Sequence, residues 1–333
     1  MKKLRRMLVI LFSTSILLTG CASAENASSE EAKKVKVMLD WFPNTNHTGI
    51  YAAIEKGFYK EAGLEVEIVE PGEGVSADQI VASGEVDFAV SHQENITHAR
   101  SAGVPIVSIA AIIQENTSAF ASLKEEEIVS PEDFEGKRYG GWGSPTEEAV
   151  IRAVMNQDDA DFGNVDYVTL GATDFFKSIG RDTDFQWIFE GWDGIEAKRK
   201  GIELNYIYLK DLDPALNYYT PVLAASETKI KKEKDTVQAF VQATAKGYEF
   251  AIDKPIEAAD ILIKQVPEIN KDLAKESQKW LSKQYQGDAK QWGVQKEEVW
   301  ERYADWMYQQ KLIEENIDPA EAYTNEFLPE AEK

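Results

Sequence analysis

An acidic residue and an indole, Asp40 and Trp41, follow the first apolar strand of the sequence, and a turn leads from them to a helix beginning near His47. A carboxylate can accept a hydrogen bond from an amine, and an indole can stack on a flat ring. Ligands bind outside the C-terminal ends of the strands in open α/β sheets. These residues therefore predict one wall of a binding site, although Asp40 could equally cap a helix and Trp41 could pack between loops.

A glycine-rich turn between a predicted strand and a predicted helix is the second group of interest. Glycine lets a ligand approach the backbone, and N–H groups at a helix start can serve acceptors or anions. The turn lacks both the P-loop and the dinucleotide-binding pattern. We expect it to hold part of a ligand, with simple helix capping by Ser144 or Thr146 as the alternative. Its candidate residues are Gly141, Trp142, Gly143, Ser144, Pro145 and Thr146.

Polar residues also follow two other predicted strands. Glu190 ends an apolar strand between Trp187 and Trp192, where it could pair with a nitrogen heterocycle or simply point to solvent. Ser91 and His92 end a strand nearer the N-terminus. Because all these groups lie at predicted strand C-termini, we expect them to face one shared cleft.

Signals for enzymatic chemistry are weak. The three histidines show no zinc-binding spacing, and the sequence contains no Gly-x-Ser-x-Gly nucleophile motif. Cys21 is the only cysteine, which excludes a disulfide within the chain and a cysteine-based metal site. We expect no metal, no cofactor and no catalytic residue.

The N-terminus has the pattern of a lipoprotein leader. Basic residues precede an apolar stretch, Met7–Leu18, which is shorter than the roughly 20 residues of a spanning helix. It ends in Leu-Thr-Gly-Cys21, which resembles the bacterial lipobox and implies cleavage before Cys21 and lipid attachment to its sulfur; an ordinary signal peptide is the alternative. We predict a signal peptide over residues 1–20 and a lipidated, flexible tether over residues 21–33, anchored to the outer face of the cell membrane.

The net charge of −22 argues against nucleic acid and anionic lipid surfaces as partners. Strand and helix patterns alternate up to about residue 225, and the rest is almost purely helical. This order predicts an α/β protein of two lobes with a ligand cleft between them. We place the chain crossings near Ser118–Leu123 and Thr220–Ser226, so that residues 34–118 and 226–333 form lobe I and residues 119–225 form lobe II.

Three motifs support a family assignment. The segments Leu39–Ala53, Gly57–Leu64 and Ser83–Phe88 resemble the NMT1/Thi-type substrate-binding proteins. The resemblance covers essentially the whole mature chain. It implies a type II periplasmic-binding-protein fold with two crossover strands, acting as the monomeric solute-binding lipoprotein of an ABC importer with permease and ATPase partners. The implied ligand is a thiamin-precursor aminopyrimidine, N-formyl-4-amino-5-aminomethyl-2-methylpyrimidine.

The resemblance also implies roles for the candidate residues. The ring is expected to lie between Trp41 and one of Trp142, Trp187 or Trp192, with Asp40 and Glu190 on its nitrogens. The glycine-rich turn, Ser91 and His92 would hold the substituent at position 5. His47, which belongs to the first motif, is also expected among the ligand-binding residues.

Other ligands and an enzyme are the alternatives. Hydroxymethylpyrimidine, a flavin or a sulfonate such as taurine are possible ligands, but the candidate turns lack the Arg or Lys that a sulfonate needs. The family also contains thiamin-pyrimidine synthases, which carry a pyridoxal-phosphate lysine where this chain has Ser91. They also have a cysteine-rich segment where it has Asn217–Pro221. Glu190 matches their acidic residue, so we expect retained binding without catalysis.

Overall fold

The computed structural model describes residues 31–72, 76–171 and 173–330. The predicted signal peptide, Cys21 and the tether up to residue 30 lie outside these residues. Lys33, predicted as the last tether residue, is already the first residue of a strand. No helix in the described part of the chain is both long enough and apolar enough to cross a membrane.

The structure alternates strands and helices through its first two thirds. The strands are β1 Lys33–Met38, β2 Leu64–Val69, β3 Phe88–Ser91, β4 Ile106–Ala111, β5 Ser118–Leu123, β6 Arg138–Gly141, β7 Asp166–Thr169, β8 Phe185–Phe189, β9 Leu204–Tyr208 and β10 Val222–Ser226. The helices are α1 Thr48–Glu55, α2 Phe58–Glu61, α3 Ala77–Ser83, α4 Gln93–Ser101, α5 Pro145–Gln157, α6 Phe175–Ser178, α7 Ile195–Lys200, α8 Leu209–Leu212, α9 Glu227–Lys232, α10 Lys234–Asp253, α11 Pro255–Gln265, α12 Lys271–Leu281, α13 Glu297–Gln309 and α14 Pro319–Ala322.

Two five-stranded sheets organise these elements. The first has the strand order β2-β1-β3-β10-β4 and the second the order β7-β6-β8-β5-β9. One strand in each sheet runs antiparallel to both of its neighbours. This strand is β10 in the first sheet and β5 in the second, and each is the first strand after the chain has crossed from the other sheet. The remaining pairs are parallel. The predicted two-lobed α/β architecture is confirmed.

Two chain crossings join the sheets. Ser118–Leu123 is strand β5 of the second sheet, and Val222–Ser226 is strand β10 of the first, so the chain crosses at residues 112–117 and 217–221. Strands β5 and β10 are both buried apolar runs. Such a run has the same sequence pattern whether it crosses between lobes or pairs within a sheet. The C-terminal part is also shared, because Tyr303, Trp306 and Met307 of α13 pack in the core of the second sheet.

Helix α1, which begins directly after His47, packs closely on α10. A Cβ added at Gly247 would lie 2.0 Å from the backbone oxygen of Gly49, so neither residue leaves room for a side chain. The next residue of α10, Tyr248, donates its hydroxyl to the carbonyl oxygen of Asn46 at 2.7 Å. The two glycines therefore allow the helix contact that holds the start of α1 in place.

Gly247→Ala should destabilise the protein by about 1–3 kcal/mol, the usual cost of overpacking a tight contact. Without that overlap, alanine in a helix interior would stabilise it by roughly 0.5–1 kcal/mol relative to glycine. Urea denaturation measures the difference, with the exposed neighbour Lys246→Ala as the control. A Gly247→Ala variant as stable as the wild type, or more stable, would show that the helices are not in close contact.

Candidate functional site

Asp40 lies at the centre of the polar network beyond the ends of β1 and β3. Its Oδ1 is 2.6 Å from Nε2 of His47, and its Oδ2 is 3.2 Å from Nε2 of His92. The side chain of Asp40 is 9% exposed and that of His47 is fully buried. Burial disfavours the carboxylate, but the hydrogen bonds that it accepts from His47 and His92, together with the charge of His92, outweigh burial and hold the pKa of Asp40 well below its usual range. Asp40 is therefore an ionised acceptor rather than a helix cap.

The hydrogen bonds of His47 define its tautomer. The backbone N–H of Asn44 donates to Nδ1 of His47 at 3.1 Å, so the proton resides on Nε2, which donates to Asp40. The surrounding loop is held from the C-terminal half of the chain, because the Tyr285 hydroxyl donates to the carbonyl oxygen of Thr45 at 2.5 Å. His47 thus orients the Asp40 carboxylate through Nε2. Both of its ring nitrogens have partners within the chain, so neither is left for a ligand.

His92 forms the second contact of Asp40 and carries the positive charge of the site. Although burial disfavours the imidazolium, the hydrogen bond that His92 donates to Asp40 and the negative charges of Glu94, Asp40 and Asp78 raise the pKa of His92 to about 9. Its Nδ1 is 2.8 Å from Oγ1 of Thr220, which lies in the second crossing. Because His92 is protonated at neutral pH, it donates from both ring nitrogens and joins the first sheet to the crossing.

Two further acids surround His92. Asp78 of α3 accepts a hydrogen bond from the Ser91 hydroxyl, and burial, stronger than that bond, raises the pKa of Asp78. Glu94, in the first turn of α4, is 7% exposed. Burial, opposed by the charge of His92, raises the pKa of Glu94 to about 7. The site therefore contains three carboxyl groups around one imidazolium, and neither Asp78 nor Glu94 was among the predicted site residues.

The glycine-rich turn binds a carboxylate of its own chain. The buried Glu147 accepts from the N–H groups of Trp142 and Gly143 at 3.2 and 3.1 Å and from the hydroxyls of Tyr139 and Tyr167 at 2.5 and 2.7 Å. Its pKa is raised because burial outweighs these four donors. The N–H groups of Trp142 and Gly143 thus donate within the chain, and that this turn holds part of a ligand stays a prediction.

Glycine and capping residues in this turn have local roles. A Cβ at Gly141 would lie 2.4 Å from the Tyr167 hydroxyl and 2.8 Å from Oε1 of Glu147, so glycine makes room for the Glu147 network. Ser144 caps α5 by accepting from the N–H of Thr146 at 3.2 Å, which is the capping alternative. Thr146 is buried, and Pro145 begins α5, but its side chain lies outside the described part of the structure.

Trp142 and Trp187 form an aromatic pair beside this turn. Their ring centroids are 5.4 Å apart at an interplanar angle of 60°. Trp142 is 37% exposed, whereas Trp187 is 7% exposed and its indole N–H has no hydrogen-bond partner. Trp41 is half-buried and packs edge-on against the exposed Phe42, with the ring centroids 5.9 Å apart. Trp41 and Trp142 are thus the predicted indoles with ring surface open to a ligand.

Glu190 and Trp192 lie on a π-helical turn, Glu190–Gly194, and their side chains point to different surroundings. Glu190 accepts a hydrogen bond from the Tyr208 hydroxyl and lines a shallow depression of about 340 Å³ that also includes Tyr206 and Lys198. Trp192 packs against a cluster of first-lobe residues around Tyr51. Among the described residues, neither side chain forms a hydrogen bond with Asp40, His47 or His92, the three residues of the Asp40 network.

The backbone of this turn nevertheless reaches the first lobe. The Ser277 hydroxyl of α12 donates to the carbonyl oxygen of Gly191, and Oγ of Ser277 is 2.5 Å from Oγ1 of Thr45. Phe189 also stacks on His92, with ring centroids 6.3 Å apart. The end of β8 therefore closes over the Asp40 network through Phe189 and Gly191.

The structure thus brings Asp40, His47 and His92 into one network, with Ser91 beside it through Asp78. The missed residues Asp78, Glu94, Thr220 and Phe189 lie far apart in sequence and carry no motif; only Glu94, two residues after a candidate histidine, had a local signal. Within the described residues, no group of histidine, cysteine and acidic side chains has the arrangement of a metal site.

Asp40→Asn should lower the pKa of His92 by about one unit or more, because loss of an adjacent opposite charge shifts a pKa by roughly 1–3 units. NMR titration of the histidine Cε1–H signals measures this change, and the exposed Asp166→Asn is the control. Because the pKa of His92 is raised in the folded state, protonated His92 stabilises the fold. This stabilisation is fully present below about pH 6.5 and is lost as the pH rises through 9. An unchanged His92 titration in Asp40→Asn would refute the ion pair.

Known proteins resemble this chain over nearly its whole length. The formylaminopyrimidine-binding protein of Halalkalibacterium halodurans is 28% identical over 324 residues, which cover 95% of this chain and 98% of that protein. A 4-amino-5-hydroxymethyl-2-methylpyrimidine phosphate synthase of Legionella pneumophila is 24% identical and covers 91% of this chain and 95% of its own length. The relatives thus include both a binding protein and an enzyme.

A solved structure and a family model complete the comparison. A Candida albicans protein described as having the generic periplasmic binding protein fold superposes with a TM-score of 0.65 at 16% identity, over 88% of this chain and 96% of its own. It confirms the predicted fold. The NMT1/THI5-like family model matches residues 44–258. The chain therefore belongs to the NMT1/THI5-like family, as its sequence motifs predicted.

Proposed function

We propose that this chain is the extracytoplasmic solute-binding component of an ABC importer, and that it captures a thiamin-precursor aminopyrimidine such as N-formyl-4-amino-5-aminomethyl-2-methylpyrimidine. The observation that carries the proposal is the cluster of Asp40, Asp78 and Glu94 around His92. Its carboxyl groups complement a ligand with N–H donors or positive charge. The name of the Halalkalibacterium halodurans relative supports the same ligand class.

The charge of the cluster argues against a sulfonate. An anionic ligand is usually held by Arg, Lys or unpaired backbone N–H groups. In the described part of the chain, no Lys or Arg forms an ion pair with Asp40, Asp78 or Glu94, and the N–H groups of Trp142 and Gly143 already donate to Glu147. A flat, neutral or cationic amine fits these groups better than a taurine-like acid.

In this proposal, Asp40 accepts a hydrogen bond from the ligand while its two histidines hold it in place. An ionised carboxylate has about four acceptor positions, so it can bind both histidines and still accept a further N–H group. Trp41 supplies one ring face and Trp142 the other, each stacking contact adding on the order of 0.5–1.5 kcal/mol beyond buried area. The contacts of Phe189 and Gly191 with the first lobe would then close the site over the ligand.

The synthase alternative is the weaker one for this chain. A pyridoxal-phosphate enzyme needs a lysine amine to form a Schiff base, and Ser91 occupies the place that the resemblance assigns to that lysine. Its hydroxyl donates to Asp78. Asn217–Pro221, where the synthases are cysteine-rich, contains no cysteine. We therefore propose delivery of the pyrimidine rather than its synthesis.

The remaining parts of the proposal concern anchoring and partners. The lipobox at Cys21 would tether a monomeric domain to the outer face of the membrane, where the closed, ligand-bound form would meet a permease and its ATPase. Lobe I would comprise the first sheet with its helices and lobe II the second sheet, hinged at the two crossings. Labelling with a radioactive fatty acid, in wild type and in Cys21→Ser, tests the anchor directly.

A thermal-shift assay on the chain from residue 22 onward tests the ligand. A ligand present at about 100 times its Kd adds roughly 2.7 kcal/mol of stability, which raises the melting temperature by several degrees. We expect such a shift with the formylaminopyrimidine, a smaller or equal one with 4-amino-5-hydroxymethyl-2-methylpyrimidine, and none with taurine. If taurine stabilises the protein and neither pyrimidine does, the proposed function is wrong.

A further inference from the structure

The carboxylate of Glu147 has its acceptor positions filled from within the chain. Its Oε1 accepts from the Trp142 N–H and the Tyr139 hydroxyl. Its Oε2 accepts from the Gly143 N–H and the Tyr167 hydroxyl. An ionised carboxylate offers about four acceptor positions, so these four donors use all of them. Because the residue is also only 1% exposed, its side chain is a fixed part of the glycine-rich turn and is not free to bind a ligand.

The turn that Glu147 occupies has the construction of an anion site. It joins strand β6 to the 13-residue helix α5, and N–H groups at such a helix start usually hold phosphate, sulfate or carboxylate groups. A glutamate at the third helical position usually reaches back to the N–H of the capping residue, which is Ser144 here. Glu147 instead reaches one and two residues further, to Gly143 and Trp142. It therefore takes the place of an external anion.

The same turn lies at the edge of the second sheet that meets the Asp40 network. Strands β6 and β8 are parallel neighbours, so they end at one edge. Trp142 contacts Trp187 of β8, and Phe189, two residues further along the same face of β8, stacks on His92. Helix α4, which begins after His92, also contacts helix α5. A ring held between Asp40 and Trp142 could therefore extend a substituent to this turn.

A negatively charged substituent would be disfavoured there. The N–H groups of Trp142 and Gly143 are already in use, and the carboxylate that uses them lies 3.2 and 3.1 Å from their nitrogens. A phosphate that approached these N–H groups would thus compete with Glu147 for donors and would be repelled by its charge. A neutral hydroxymethyl or formylaminomethyl group suffers no such repulsion.

We propose that Glu147 is a specificity-determining residue. It acts as a built-in anion that fills the anion position of the glycine-rich turn, so that the site admits neutral substituted pyrimidines and excludes their phosphate esters. This inference rests on the proposed function, because it requires a pyrimidine ring bound between Asp40 and the turn. It assigns the exclusion to one side chain, whose substitution should reverse it.

Calorimetry with a matched pair of probes tests this role. The probes are 4-amino-5-hydroxymethyl-2-methylpyrimidine and its phosphate ester, which differ only in the phosphate. We expect the wild type to prefer the alcohol by about tenfold or more. Glu147→Gln keeps the size of the side chain but removes its charge, so it should bind the ester about tenfold more tightly than the wild type does, the usual effect of a hydrogen bond to a charged group. Its affinity for the alcohol should stay close to the wild-type value.

Glu148→Gln is the matched control. Glu148 is exposed, lies in the same helical turn and pairs with Arg152 at 2.6 Å, so this variant loses the same charge outside the Glu147 network. It should leave both affinities unchanged. The carboxylates around His92 also disfavour the ester, so the gain in Glu147→Gln decides the question more sharply than the wild-type preference alone.

Four outcomes would overturn the role of Glu147. Glu147→Gln could gain no affinity for the ester, it could weaken both probes alike, as a purely structural role would, or Glu148→Gln could gain as much. The fourth is a wild type that binds the ester as tightly as the alcohol. A wild type that binds neither probe nor the formylaminopyrimidine would instead contradict the proposed function, and the inference would fall with it.

A triple variant provides the same test if Glu147→Gln does not fold. Glu147→Leu, combined with Tyr139→Phe and Tyr167→Phe, replaces the carboxylate and both hydroxyl donors by apolar groups, so no hydroxyl of the network is left unpaired. The N–H groups of Trp142 and Gly143 are then free for the phosphate. This variant should bind the ester more tightly than the wild type does, and an unchanged affinity would again overturn the proposal.

Discussion

The rest of the site depends on one constraint: the buried carboxylate of Asp40 must be paired. A buried charge without a partner is strongly destabilising, and removing one member of a buried pair commonly costs several kcal/mol. Asp40 obtains its partners from two directions, His47 of its own loop and His92 beyond β3. His92 in turn bonds Thr220, so this single pairing connects the end of β1, the start of α4 and the second crossing between the lobes.

The electrostatic character of the site follows from the same pairing. Asp40, Asp78 and Glu94 surround one imidazolium. Burial lowers the pKa of His92, but the hydrogen bond to Asp40 and the negative charges of Glu94, Asp40 and Asp78 raise it to about 9. Burial raises the pKa of Glu94 to about 7, against the charge of His92. Such a cleft favours ligands that donate hydrogen bonds. The glycine-rich turn, which in other proteins binds anions, is instead occupied by Glu147, so the opposite wall adds no strong attraction for a negative group.

Sequence patterns predicted the fold and named Asp40, His47, Ser91 and His92, which the structure brings close together; that these residues bind a ligand stays a prediction. The strand ends at Asp40 and His92 could be recognised because parallel strands place their C-termini at one edge of a sheet. That rule alone is enough to predict that Asp40 and His92 lie close together. By contrast, Glu147 lies in the first turn of α5 and points back to the loop that precedes the helix. Glu190, which follows β8, points towards Tyr208 of β9, two strands away in the sheet. Side-chain direction at a strand end depends on packing from elements far away in sequence, which pattern reasoning does not include.

The boundaries of the lobes stay a prediction for a related reason. Strands β5 and β10 both follow a crossing and both run antiparallel in the sheet that they enter. Their apolar composition indicates burial but not which sheet they join. The ring contact between Tyr218 and Tyr303 was also invisible in the sequence, since it forms only when the second crossing and α13 meet. The sequence thus predicts elements and edges well, and contacts between distant elements poorly.

The most direct test of the central claim is the affinity of the wild type and of Asp40→Asn for N-formyl-4-amino-5-aminomethyl-2-methylpyrimidine, measured by calorimetry at pH 7. Asp166→Asn serves as the control for a lost surface charge. If Asp40 binds the ligand, its variant should lose about 10- to 100-fold in affinity, corresponding to roughly 1.5–3 kcal/mol for a hydrogen bond to a charged group. A correctly folded Asp40→Asn protein that binds the pyrimidine as tightly as the wild type would contradict the claim that this carboxylate recognises the ligand.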